Sequence, residues 1–171
     1  GLFLKSQGGR GLLLVVFFGT LGLSMQDILL EPYGGEILGL SVAATTNLTA
    51  VWVLGALFGL FLASRSLKRK KGGPIKSIVF ALFTAIGGLC FVIMSDPMKL
   101  ASLYFFGSFL IGLGTGLFAV STLIIAMTIP ISKGTGRGLV LGSWGAAQAM
   151  AAGLGIGLSL IHISEPTRRK R

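Results

Sequence analysis

Residues 11–36 read GLLLVVFFGTLGLSMQDILLEPYGGE, and the reading of the whole chain turns on them. From Gly11 to Ile28 the side chains are mostly apolar or small. A run of this length crosses roughly 30 Å of hydrocarbon at about 1.5 Å per residue, so it predicts a transmembrane helix. Pro32 disfavours helix at Glu31, and Gly34-Gly35 permit a turn, so the helix should stop there. Asp27, Glu31 and Glu36 place three of the five acidic residues within ten positions at its end. Acids at a membrane edge either mark a helix end in water or face a protein interior where polar groups act.

The same alternation of apolar run and breaker recurs along the 171 residues. Five spans are predicted at about 11–30, 46–64, 75–94, 102–129 and 138–161. Lys70-Lys71-Gly72-Gly73-Pro74, Ser95-Asp96-Pro97, and Pro130 with Gly134-Thr135-Gly136 separate the later ones. Hydrophobic residues make up 53% of the chain and charged ones 12%. Soluble domains carry about 25% charged residues, so the fold class is an all-α membrane protein. The 27 glycines follow no G-X-Y period and lie inside apolar runs, where they suit close helix packing. A lone cysteine, Cys90, rules out an intramolecular disulfide.

The net charge of +10 is sorted by position. Lys5 and Arg10, the cluster Arg65, Lys68, Arg69, Lys70, Lys71 and Lys76, and Lys133 with Arg137 all fall on one side of five consecutive spans. Glu31, Glu36, Asp96 and a single base, Lys99, fall on the other. The basic side is therefore expected to be cytoplasmic. No aromatics interleave with the bases, which argues against a nucleic-acid partner. Arg168–Arg171 break the pattern, and residues 162–171 resemble translated adapter sequence, so that tail is expected to be non-native. The chain opens at Gly1 almost directly into an apolar segment and reads as a fragment of a longer protein.

Four GxxxG pairs stand out: Gly55/Gly59, Gly112/Gly116, Gly138/Gly142 and Gly153/Gly157. They are expected to be helix-packing positions. Gly112-Leu113-Gly114-Thr115-Gly116 lies mid-span and follows no strand, which argues against a phosphate loop. Candidate cavity residues are Gln26, Asp27, Glu31, Trp144 and Gln148. Asp27 and Glu31 are four apart and share a helix face; they line a cavity or simply end a helix in water. Gln148 needs a partner for its amide, from a neighbouring helix or a ligand. Trp144 lies against a flat ring or fills a gap among glycines. Asn47-Leu48-Thr49 matches a glycosylation sequon, but Thr46 or Asn47 is expected to cap the second helix. There is no Ser/His/Asp set and no Cys/His metal spacing, so neither catalysis nor a resident metal is expected. A magnesium tetrapyrrole would need an oxygen ligand such as Gln148, Asn47, Asp27, a backbone carbonyl or water.

Three stretches carry a family resemblance. They are Gln26–Glu36 continuing to Ala50, Gly112–Leu123, and Gly138–Ala149. Together they resemble the PucC/LhaA family of light-harvesting assembly proteins, within the major facilitator superfamily. The resemblance implies that the five spans are helices seven to eleven of a twelve-helix bundle. The Arg65–Lys76 loop then falls at a superfamily loop whose Gly-x-x-x-Asp-Arg pattern it lacks. It also implies a non-enzymatic factor that hands (bacterio)chlorophyll, as transient cargo, to antenna apoproteins in a bacterial photosynthetic inner membrane. On this reading the glycine-rich faces of the fourth and fifth spans are expected to offer a flat surface to a tetrapyrrole or an antenna helix. A solute transporter, with Asp27 and Gln148 along the path, and a pigment-synthesis enzyme are the alternatives.

Overall fold

The structure, a computed structural model, describes residues 7–32, 34–35, 41–68, 73–98, 100–130 and 136–164. They form five helices: α1 (Gln7–Pro32), α2 (Val42–Lys68), α3 (Pro74–Met98), α4 (Ala101–Thr128) and α5 (Arg137–Ser164). Among the described residues there is no strand. Each helix is long and apolar enough to cross a membrane. In hydrocarbon the backbone finds no water, and a helix satisfies its N–H and C=O groups within one segment. Two buried hydroxyls follow the same logic. Ser108 donates to the Tyr104 carbonyl at 2.9 Å, and Thr122 to the Phe118 carbonyl at 2.9 Å.

The helix ends depart from the expected breaks in two places. The α2 cap is Ser41, whose Oγ accepts from the Ala44 N–H at 3.3 Å. The helix starts at Val42, so Thr46 and Asn47 fall inside it rather than at its cap. Pro97 does not end α3, which runs to Met98. A proline in the last turn removes only one ladder bond. The end is closed instead by the Leu100 N–H on the Ser95 carbonyl at 3.1 Å, a six-to-one closure of Schellman type. Arg137, the first residue of α5, donates from Nη1 to the Met127 carbonyl and, at 3.4 Å, to that of Ile129. It thereby serves carbonyls left over at the end of α4.

The chain divides into two compact units, Leu30–Ile125 and Gly1–Leu29 with Ala126–Arg171. In the first, α4 is the most enclosed helix: 56% of its most apolar stretch is buried, against 22% for α2 and 28% for α3. Its two contact faces explain this. The Gly112/Gly116 face meets α2, and the Gly107/Gly114 face meets α3. Positions 107 and 112 are about 140° apart around a helix of 3.6 residues per turn.

The α2–α4 contact is parallel. Moving from Gly55 to Gly59 shifts the facing residue from Phe109 to Leu113, and moving from Trp52 to Ala56 shifts it from Gly112 to Gly116. A Cβ on Gly55, Gly59, Gly112 or Gly116 would collide with the carbonyl oxygen of Phe109, Leu113, Trp52 or Ala56 respectively. Glycine on both partners lets the backbones touch where lipid supplies no hydrophobic drive between helices. The α3–α4 contact is antiparallel: Gly88 meets Gly107, and Ala81 meets Gly114. A Cβ on either Gly88 or Gly107 would lie 2.6 Å from the other's carbonyl oxygen.

In the second unit α1 and α5 are parallel. A Cβ on Gly155 would lie 3.2 Å from the Ser24 Cβ and 3.5 Å from the Leu21 oxygen, while Leu13 and Phe17 lie beside Ser143–Met150.

Candidate functional site

Two features emerge, one in each unit. The first is built around Tyr104, which is fully buried on α4. Its hydroxyl donates to the carbonyl of Leu30, in the last turn of α1. Carbonyls in the last turn of a helix lie beyond its regular ladder, and the phenol gives this one a partner in an apolar setting. Leu30, Leu48, Val92 and Ile111 enclose the ring in one cluster, with Trp52 and Phe105 packed against it. Gly34 completes the fit: a Cβ there would lie 2.6 Å from Tyr104 Oη and 3.0 Å from Cζ. The Pro32–Gly34 break therefore does more than turn the chain, because Gly34 leaves the space that Tyr104 fills.

The second feature is the seam between α1 and α5. Closed at Gly155 and Ser24, it opens into a groove of about 350 Å³ lined by Leu13, Leu14, Phe17, Ser143, Ala146, Ala147 and Met150. The groove is apolar, and Ser143 carries its one side-chain hydroxyl. Trp144 and Gln148 are half-buried and do not line it. They continue the stripe of Val140, Ala151 and Gly155 on the adjacent face of α5.

Of the sequence-derived cavity residues, Gln26 lies apart from Trp144 and Gln148 along the α1–α5 pair. Gln26 is half-buried on α1, and its Oε1 is buried without a hydrogen-bond partner among the described residues. In the α1–α5 register Gly155 is level with Ser24, so Gln148 is level with residue 17. Gln26 lies nine residues further along, about 13 Å at 1.5 Å per residue. The side chains of Asp27 and Glu31 lie outside the described residues.

The glycine pairs divide as well. Those on α2 and α4 sit against a facing backbone, whereas a Cβ on Gly138, Gly142, Gly153 or Gly157 would meet nothing within 4 Å. This corrects one expectation. The glycine-rich faces of α4 are filled by α2 and α3 and offer no flat surface to a ligand; of the fourth and fifth spans, only α5 keeps an open one. The Gly88/Gly107 contact and the Tyr104 bond had no single-helix spacing to announce them.

Five apolar membrane-length helices, packed within each unit through glycine-mediated contacts, define a polytopic α-helical integral membrane protein. Residues 1–162 match the family described as PUCC protein, and the chain belongs to that family. Among its relatives, an uncharacterized protein in the puhA-bchM intergenic region of Rhodobacter capsulatus is 43% identical over 91% of this chain and 32% of its own length. Protein PucC of Rhodobacter capsulatus is 42% identical over 93% of this chain and 34% of its own. A third, the bacteriochlorophyll synthase 44.5 kDa chain of Rhodobacter capsulatus, is 30% identical over 85% of this chain and 34% of its own. The chain thus spans about a third of the length of the relatives it matches. No solved structure matches it.

Proposed function

We propose that the protein is a membrane assembly factor for photosynthetic light-harvesting complexes, handling (bacterio)chlorophyll or delivering it to antenna apoproteins. It works in a bacterial inner, intracytoplasmic membrane with its basic loops toward the cytoplasm. Membership of the PUCC family carries this reading, together with relatives whose names tie them to bacteriochlorophyll and to the puhA-bchM interval. The open face of α5 and the adjoining apolar groove supply a surface that suits a flat ring or a passing helix. A pigment-synthesis enzyme is the second reading, favoured by the name of the 30%-identical relative.

Deleting the gene in its own phototrophic host is expected to lower antenna absorbance several-fold, with pigment still synthesised. Gentle purification of the protein is expected to bring pigment and antenna polypeptides with it. Loss of pigment synthesis itself would favour the enzyme. A pigment-free protein that moves a solute into vesicles would sink the assembly reading. Asp27→Asn is expected to lower the antenna band at unchanged abundance in the membrane, measured by absorbance against an immunoblot. An unchanged band would leave Asp27 as a helix-end residue.

A further inference from the structure

The contact between Tyr104 and the Leu30–Gly34 turn joins residues 74 apart and holds a stretch that leads into the acidic segment. We infer that Tyr104 is a positioning residue: its hydroxyl fixes the turn after α1 in the form that antenna assembly requires. The inference rests on the assembly function proposed above.

Three observations carry it. The hydroxyl donates to the Leu30 carbonyl inside an apolar cluster, where a hydrogen bond is stronger than in water. The ring itself is fully buried, packed in one cluster with Leu30, Leu48, Val92 and Ile111. The turn is shaped to receive the hydroxyl, since Gly34 has no Cβ where one would stand 2.6 Å from Oη. Packing alone would be met by phenylalanine. The hydroxyl adds a directional tie to one carbonyl of the turn, and Gly34 adds the matching space. Glu31 and Glu36 flank that point in the sequence.

The geometry makes an unusual genetic prediction. Gly34→Ala sets a methyl group against Oη first, with Cζ at 3.0 Å and Cε1 at 3.2 Å as lesser contacts. Removing the oxygen therefore removes the worst clash. Tyr104→Phe should partly suppress Gly34→Ala, although neither change is beneficial alone.

The test introduces Tyr104→Phe, Gly34→Ala and the double change at the gene's own locus. Three quantities are read: abundance in the membrane, backbone hydrogen exchange over residues 30–35, and antenna absorbance. For Tyr104→Phe the expected result is near-normal abundance, faster exchange in the turn, and a several-fold smaller antenna band. Gly34→Ala is expected to be worse in abundance, and the double variant to recover abundance toward that of Tyr104→Phe. Faster exchange with a normal antenna band would overturn the positioning role and leave a purely structural bond. Unchanged exchange, or no suppression, would overturn the contact itself as the determinant of the turn. Failure of the assembly reading is separately visible, because gene deletion would then leave the antenna band intact.

Discussion

Gly116→Leu is expected to remove most of the folded protein from the membrane, whereas Gly142→Leu is expected to leave its amount unchanged. Both are the second glycine of a GxxxG pair, so helix propensity and motif spacing are the same in each. What differs is the space beside them. A Cβ on Gly116 would run into the Ala56 carbonyl, and the Ala56 carbon and Leu60 nitrogen lie just behind it at 2.9 and 3.0 Å. A backbone cannot rotate away as a side chain can. Leucine there must push α2 and α4 apart, opening the Gly55, Gly59 and Gly112 contacts along the same seam. Overpacking of a close-packed site costs about 1–3 kcal/mol, occasionally more, and four carbons against a backbone belong at the upper end. Net stabilities of about 5–15 kcal/mol leave limited room for that loss. At Gly142 nothing lies within 4 Å of an added Cβ. Fluorescence-detected size-exclusion of tagged protein in mild detergent would read both variants. Equal losses would mean that the α5 stripe is as tightly packed as the α2–α4 seam. A Gly142→Leu protein that is abundant but supports no antenna would direct attention to the open stripe as a working surface.

The contrast shows what could be read from the chain before its fold was known. The spans were legible because hydrocarbon leaves a polypeptide few options: long apolar runs, ended by Pro, Gly or charge, become helices. The predicted run at 102–129 and the observed α4 at Ala101–Thr128 nearly coincide for this reason. The ends were less legible, since caps depend on single hydrogen bonds. Ser41 took the role expected of Thr46 or Asn47, and Leu100 N–H closed α3 past Pro97. The motif GxxxG located glycines but could not say which faced a neighbour, because that depends on the rotation of a second helix. Gly112/Gly116 and Gly138/Gly142 look alike in sequence and differ completely in surroundings. The candidate site was legible only in part. Gln26, Trp144 and Gln148 stood out as rare polar or large groups in apolar runs, yet they belong to neither the Tyr104 cluster nor the groove. Tyr104 was not, for its acceptor lies 74 residues away and its space is made by an absent side chain.

Gly88→Ala and Gly107→Ala should each weaken the protein, and together they should weaken it by less than the sum. The two glycines face one another across the antiparallel α3–α4 contact, and a Cβ on either stands 2.6 Å from the other's carbonyl oxygen. Each substitution demands the same remedy, a small increase in the distance between the two helices. Once the first methyl group has forced that separation, the second finds part of its space already made. Single losses of about 1–3 kcal/mol are expected from overpacking, with a coupling of about 1 kcal/mol in the double variant. Alanine is the better helix former, so a loss cannot be assigned to backbone propensity. Gly87→Ala, one position away on α3, supplies the control, because its Cβ would meet nothing within 4 Å. Thermal inactivation of the four proteins in the same detergent, followed by the surviving monodisperse fraction, reads the cycle. Strict additivity would show that Gly88 and Gly107 answer to different neighbours. In that case Ile111 and Val92, whose side chains stand 2.9 and 2.8 Å from the added Cβ atoms, would be the atoms that give way.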